Sequence, residues 1–371
     1  MSFDLQEAKR VVIKIGSALL VDNEGRIRQE WLNALADDIA RLHKAGKQVL
    51  VVSSGSIAVG RRHLGLKGEA LKLEEKQASA ATGQIRLAHA YQEALHRHNI
   101  TVAQMLLTPS DTEERRRHLN ARATAFQLLS LGAVPIINEN DTVATEEIRY
   151  GDNDRLAARV ATMVSADALV LLSDIDGLYT ADPRKDKNAT HIPVVEKITA
   201  EIDAMAGDAP VGISTGGMVT KLLAAKLAVQ GGCAMVIAQG AKLNPVGSIL
   251  DGGLCTWFLS AVKPRAARKK WIAGSLTPAG SVTVDDGAVN ALNAGKSLLP
   301  AGVIGVDGHF DRGDSILVKN LNGERLGVGL SAFSSDDTKE ILGLHSDEVK
   351  EKLGIDRKVE VIHRDDLALE A

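Results

Sequence analysis

The chain has 371 residues, 45% hydrophobic and 25% charged, with a net charge of −3. That length predicts about two domains, and that charge excludes a global pull toward nucleic acid or an anionic membrane. Two cysteines in apolar surroundings, Cys233 and Cys255, exclude a disulfide framework.

MSFDLQEAKR carries no apolar signal core, and no apolar run nears the ~20 residues that cross a bilayer. The expectation is a cytoplasmic protein with no membrane partner. Only 3% of the residues are aromatic and 34 are glycine, so the core must be aliphatic and the fold rich in turns.

Residues 11–15 (VVIKI) read as a β-branched strand interrupted by Lys14 and followed by Gly16 and Ser17. A lysine inside such a strand either leaves through its end or meets an anion. Residues 29–45 form an amphipathic helix stopped by Gly46, and 48–52 form the next strand, opening into Ser53-Ser54-Gly55-Ser56 and a helix. Strand, glycine loop and helix start together make a seat for an anion. A helix over 76–99 and a strand over 101–107 follow, and Thr108-Pro109 opens a helix whose charges at 111–117 read as a solvated face.

The stretch 132–160, GAVPIINENDTVATEEIRYGDNDRLAARV, starts as an apolar strand and ends in an amphipathic helix. Between them lies a polar loop that includes Asn138, Asp141, Asp152, Asn153 and Asp154. Helix capping accounts for one or two of these residues. The rest suit a ligand site at the carboxyl end of a strand. Residues 168–172 are a fully apolar strand ending in Ser173 and Asp174, and 234–238 are the last strand before residue 262. Strands alternating with helices predict an α/β fold with a mainly parallel sheet covered on both faces.

GISTGGMVTK, residues 212–221, places two glycines before a helix containing Lys221. It is not a Walker loop, because Met218 stands where the lysine should follow the second glycine. Residues 263–277 read as a basic linker, and the short strands beyond it, separated by glycine turns, predict a small β-barrel.

Phosphoryl transfer needs positioning and positive charge around the moving group. Lys14 and Lys221, each beside a glycine loop, meet that need. Asp141 suits a ligand ammonium, Asn153 and Ser54 suit its carboxyl groups, and Asp152 and Asp154 suit the orientation of the lysines by ion pairing. For any one lysine alone, an exposed surface position is the plainer account. The placement of Lys14, Ser54, Asp141, Asn153, Asp174 and Lys221 at strand-to-helix junctions favours a shared site. No His or Cys spacing matches a metal centre, and no G-x-S-x-G elbow is present.

VVIKIGSALL, VVSSGSIAVG, PIINENDTV, GDND, LLSDIDGLYTADPR and STGGMVTK, in this order, resemble the amino-acid kinase family. The stretch GSVTVDDGAVNALNAGKSLLPAGVIGVDGHFDRGD resembles a PUA domain. The resemblance implies a three-layer α/β sandwich over residues 1–262 and, after the linker, a β-barrel-like PUA domain over 278–371. It implies ATP-dependent phosphorylation of the γ-carboxylate of L-glutamate, the first step of proline synthesis, with Mg2+ held mainly by the nucleotide phosphates. It implies proline as a feedback inhibitor and a homo-oligomer, dimer or tetramer.

By motif position Lys14 matches the phosphate contact, and Ser54, Asp141 and Asn153 match the glutamate contacts. Ser173, Asp174, Thr215, Gly216, Gly217, Met218, Val219, Thr220 and Lys221 match the nucleotide contacts. Lys14, Lys221 and Asp154 are the expected catalytic group. Alternatives are a sibling kinase acting on another acid or on carbamate, and an RNA-binding protein. Against RNA, residues 276–371 hold 10 Lys and Arg against 17 Asp and Glu, and a phosphate-binding surface should lean basic.

Overall fold

The computed structural model describes residues 3–67, 71–143, 153–206, 217–275, 277–354 and 359–370. The chain divides into two compact units, Met1–Pro264 and Arg265–Ala371.

The first unit runs β1 (Arg10–Ile15), α1 (Ser17–Leu20), α2 (Gln29–Lys44), β2 (Gln48–Ser53), α3 (Ser56–His63), α4 (Leu73–His96), β3 (Val102–Leu107), α5 (Pro109–Glu113), α6 (Arg115–Ser130) and β4 (Val134–Glu139). It continues with α7 (Asn153–Met163), β5 (Ala168–Ser173), β6 (Leu178–Tyr179), β7 (His191–Ile192), β8 (Val194–Val195), α8 (Ala200–Ala204), α9 (Met218–Gln230), β9 (Ala234–Gln239), α10 (Pro245–Leu250) and β10 (Cys255–Phe258). Eight strands form one sheet in the order β3-β4-β2-β1-β5-β9-β10-β8. Every neighbouring pair is parallel except β9 with β10.

Parallel strands buried on both faces need apolar side chains at every position, and β4 and β5 are buried throughout. In β1, Val11, Ile13 and Ile15 face α2 and α4, while Val12 faces α7 and α9. The expected three layers, helices on both sides of a mainly parallel sheet, are present. The register sets Ile15 beside Ser53 on one side and beside Leu172 on the other, so the carboxyl ends of β1, β2 and β5 line up.

Helices α3 and α4 touch backbone to backbone. A Cβ on Gly60 would lie 1.8 Å from the Ser79 carbonyl oxygen, and one on Gly83 would lie 1.8 Å from that of Ser56. Only glycine at both positions allows this approach.

The second unit has a five-stranded sheet built from β11 (Gly280–Val284), β12 (Val303–Gly308), β13 (Ser315–Lys319), β14 (Arg325–Leu330) and β15 (Leu367–Leu369), in the order β12-β11-β13-β14-β15. Among the described residues no pair joins the outer strands β12 and β15. Its core holds Val282, Ile316, Phe310 and Ile362.

The basic stretch expected as a linker is helical over α11 (Pro264–Ser275). Arg268 is buried there, its Nε 2.9 Å and Nη2 2.7 Å from Asp366 Oδ1. Composition marked its charge but not the carboxylate that receives it. The helix α12 (Asp286–Asn293), capped by the Asp285 side chain on the Ala288 N–H, falls inside the region read as short strands and glycine turns.

Candidate active site

Alternation along β1 decides where Lys14 goes. It shares parity with Val12, so its side chain turns toward the layer of α7 and α9. There it forms an ion pair with Asp154 Oδ1, from the first turn of α7. Lys221, in the first turns of α9, places its Nζ 3.3 Å from Asp154 Oδ2. Thr220 Oγ1 lies 3.2 Å from the same oxygen and 2.8 Å from the Gly217 carbonyl, and its single hydrogen serves one of them at a time. Asp154 is 0% exposed, and Lys14 and Lys221 are each 6% exposed.

Burial pushes the Asp154 carboxyl upward, but the charges of Lys14 and Lys221 and their hydrogen bonds outweigh it. The group is held below the usual carboxylate range. Two ammonium groups share one carboxylate, so this trio carries one surplus positive charge at the carboxyl end of the sheet. A Cβ on Gly16 would come 3.8 Å from Lys14 Nζ, which puts that amine level with the loop after β1.

One residue before Asp154, Asn153 builds a neutral cluster. Its Nδ2 lies 2.7 Å from Ser54 Oγ, 2.9 Å from Asn138 Oδ1 and 3.2 Å from the Ser53 carbonyl. Asn138 in turn donates to Gln84 Oε1 at 3.0 Å and to Ser56 Oγ at 3.2 Å. Ser53 Oγ accepts from the buried Tyr91 hydroxyl at 2.9 Å. Gly55, at φ +112°, makes the left-handed turn between Ser54 and α3.

Of the residues expected from sequence, Lys14, Asp154, Thr220 and Lys221 meet in the charged trio and its rim, and Ser54 and Asn153 meet in the amide cluster. Ser173 and Asp174 form their own pair at the end of β5, with the Ser173 hydroxyl 3.0 Å from Asp174 Oδ1. Gly217 caps α9, which Met218 and Val219 begin, both half-buried. Asp141 is half-buried in the turn after β4. Asp152, Thr215 and Gly216 lie outside the described residues.

Sequence reasoning gave no role to Asn138 within the polar loop and passed over Gln84 altogether. A signal for Gln84 existed. It lies on the buried stripe of α4 with Gly83, Leu87 and Tyr91, where an unpaired amide is costly.

The amino acid kinase family model matches residues 9–239, and the PUA domain model matches residues 280–353. The chain belongs to the amino acid kinase family. Among relatives of this kinase chain, the glutamate 5-kinase of Paramagnetospirillum magneticum is 60% identical over 367 residues, covering 99% of each chain. That of Bradyrhizobium sp. is also 60% identical, covering 98% of this chain and 97% of its own. The UMP kinase of Bacillus anthracis aligns with a TM-score of 0.48 at 18% identity, over 69% of this chain and 97% of that one. Among the described residues no helix is long and apolar enough to cross a membrane.

Proposed function

We propose that this amino acid kinase transfers the γ-phosphoryl group of ATP to the γ-carboxylate of L-glutamate. The observation that carries the reading is the surplus positive charge of Lys14 and Lys221 on one buried carboxylate. Neutral partners or a second acid would leave nothing for a phosphate to satisfy. Low local polarity strengthens that charge, and phosphoryl transfer depends on such fixed electrostatics.

A γ-carboxylate oxygen of glutamate attacks the γ-phosphorus, the new O–P bond forms, and the bond to the ADP oxygen breaks. The nucleophile is already an anion, so no side chain has to remove a proton. Lys14 and Lys221 follow the charge as it passes from the transferred group to the leaving oxygen. Asp154 touches neither reactant in this scheme and holds both amines in place.

Ser54, Asp141 and Asn153 hold glutamate in this reading, with Asp141 on its ammonium. Ser173, Asp174 and residues 215–221 hold the nucleotide. Among the described residues no three His, Cys, Asp or Glu side chains stand together as a metal cage. A magnesium ion in this reading arrives on the triphosphate and keeps phosphate and water as ligands. Proline shares the α-amino and α-carboxyl groups of glutamate and would compete for the same contacts.

An ATP-dependent hydroxamate assay tests the reading. Product with glutamate, suppressed by proline, is expected. Product with another acid and none with glutamate would overturn the substrate, and no turnover with any acid would overturn the activity.

A further inference from the structure

A second cavity in the first unit, of about 230 Å³, takes no part in the site above. At about 30 Å³ per water molecule in the liquid, it has room for a phosphate group or a short dicarboxylate. Its floor is apolar, with Val59 of α3 and Ala90 of α4 both buried. Its walls are mostly cationic, contributed by α3, α4 and the turn before α2.

The charges there do not balance. Arg26 is committed to Asp22 and Glu24, each at 2.9 Å. Glu93, the single acid of the lining, lies 3.5 Å from His89. Arg62 and Arg86 have no acidic partner among the described residues. Their charges reach His63 between them. Slight desolvation, then the charges of Arg86 and Arg62, lower the exposed His63 imidazole from the usual histidine range.

The two arginines rise from helices that are packed closely together. The Gly60–Gly83 contact draws α3 and α4 together just before Arg62 and Arg86. Gly25 packs its turn against the Arg62 stem, because a Cβ there would lie 2.9 Å from Arg62 Cβ and 3.4 Å from Cδ. Both arginines are exposed, and their forked donors match two oxygens of one group.

We propose that this cavity binds a small oxyanion of two or more negative charges, gripped by Arg62 and Arg86 with His63 as a further donor. Phosphate groups and dicarboxylates share that chemistry. Extension of these exposed side chains into water alone explains neither the concave floor nor the packing of the Arg62 stem.

Selective histidine labelling of the full chain, followed by NMR at constant ionic strength, tests the proposal with inorganic phosphate and with succinate. A saturable shift of the His63 ring signal with phosphate, and a rise in the pH at which it titrates, are expected. In the double variant Arg62→Gln/Arg86→Gln, affinity should fall by about tenfold or more, since two charge-assisted hydrogen-bond donors are gone. Lys221→Ala should leave the His63 response intact, which separates it from phosphate bound in the kinase site. A response to phosphate alone assigns a phosphate ligand, and a response to both probes assigns dianions generally. No saturable shift with either probe, a shift equalled by chloride, or one that persists in the double variant would overturn the proposal.

Discussion

Two polar clusters stand side by side on α7, and they are built on opposite terms. The Lys14–Asp154–Lys221 trio is charged, buried and off balance by one positive charge. The Asn153–Asn138–Gln84 cluster is neutral, its amides hydrogen-bonded along a chain from the end of β2 to α4, with Gln84 Nε2 left over without a partner among the described residues. Charge in a dry site acts strongly on charge that moves, whereas hydrogen-bonded amides mainly fix direction. The trio is therefore suited to lowering a barrier, and the amides to placing an acceptor.

Substitutions that hit one cluster and spare the other should separate these roles. The largest effect belongs to Asp154→Asn, which leaves two buried ammonium groups with no counter-ion. It should cost about 3–5 kcal/mol of stability, as breaking a buried ion pair does, and abolish turnover. Urea unfolding monitored by circular dichroism measures the first, and the hydroxamate assay the second.

The same pair gives a pH signature. The folded carboxyl lies below its unfolded value, so its contribution is complete above about pH 4 and fades as pH falls through the depressed folded value. The stability gap between wild type and Asp154→Asn should be constant from pH 7 to 5 and narrow below about pH 4. A gap that closes between pH 7 and 5 would mean the carboxylate is not held by the lysines.

Lys221→Ala should lower kcat by about a hundredfold to a thousandfold, the usual effect of removing one stabilising donor, with little change in the KM for glutamate. Asn153→Ala should do the reverse, raising that KM by about tenfold for roughly one lost hydrogen bond while sparing kcat more. Exchanged phenotypes in steady-state kinetics would break the division between the clusters.

Gln84→Leu should produce the smallest change. It removes an acceptor from Asn138, and the KM should rise by about threefold, within the range of one neutral hydrogen bond, with kcat unchanged. Unaltered KM would confine the amide cluster to Asn153 and Ser54.

The alternating apolar strands made the parallel sheet legible, and with it the junctions where Lys14, Ser54 and Asn153 stand. The same alternation, read one step further, would have pointed Lys14 at the α7 and α9 layer. By sequence both Asp152 and Asp154 suit an ion pair with it, and whether each reaches it is a matter of geometry. For Asp154 the answer depends on the turn of α7, a geometric fact the letters do not carry.

The buried stripe of α4 marked Gln84 as an amide in need of a partner, but that the partner is Asn138 follows only from packing. Arg268 shows the same limit in the second unit. A basic run looks solvated, yet its one buried member is paired with Asp366, close to a hundred residues away in sequence. Local pattern reports faces and turns, while partners brought together by the fold are set by packing.

The adjacency of Asn153 and Asp154 has a mechanical consequence. Successive helical residues point about 100° apart, so one short rod steers both the Asn153 amide, proposed to hold the acceptor, and the lysine-holding acid. Any rocking of α7 that loosened the grip on the acceptor would also retune the cationic pair. Under the proposed function, substrate affinity and turnover are thus geared to one axle, and a regulator need only turn that axle to change both.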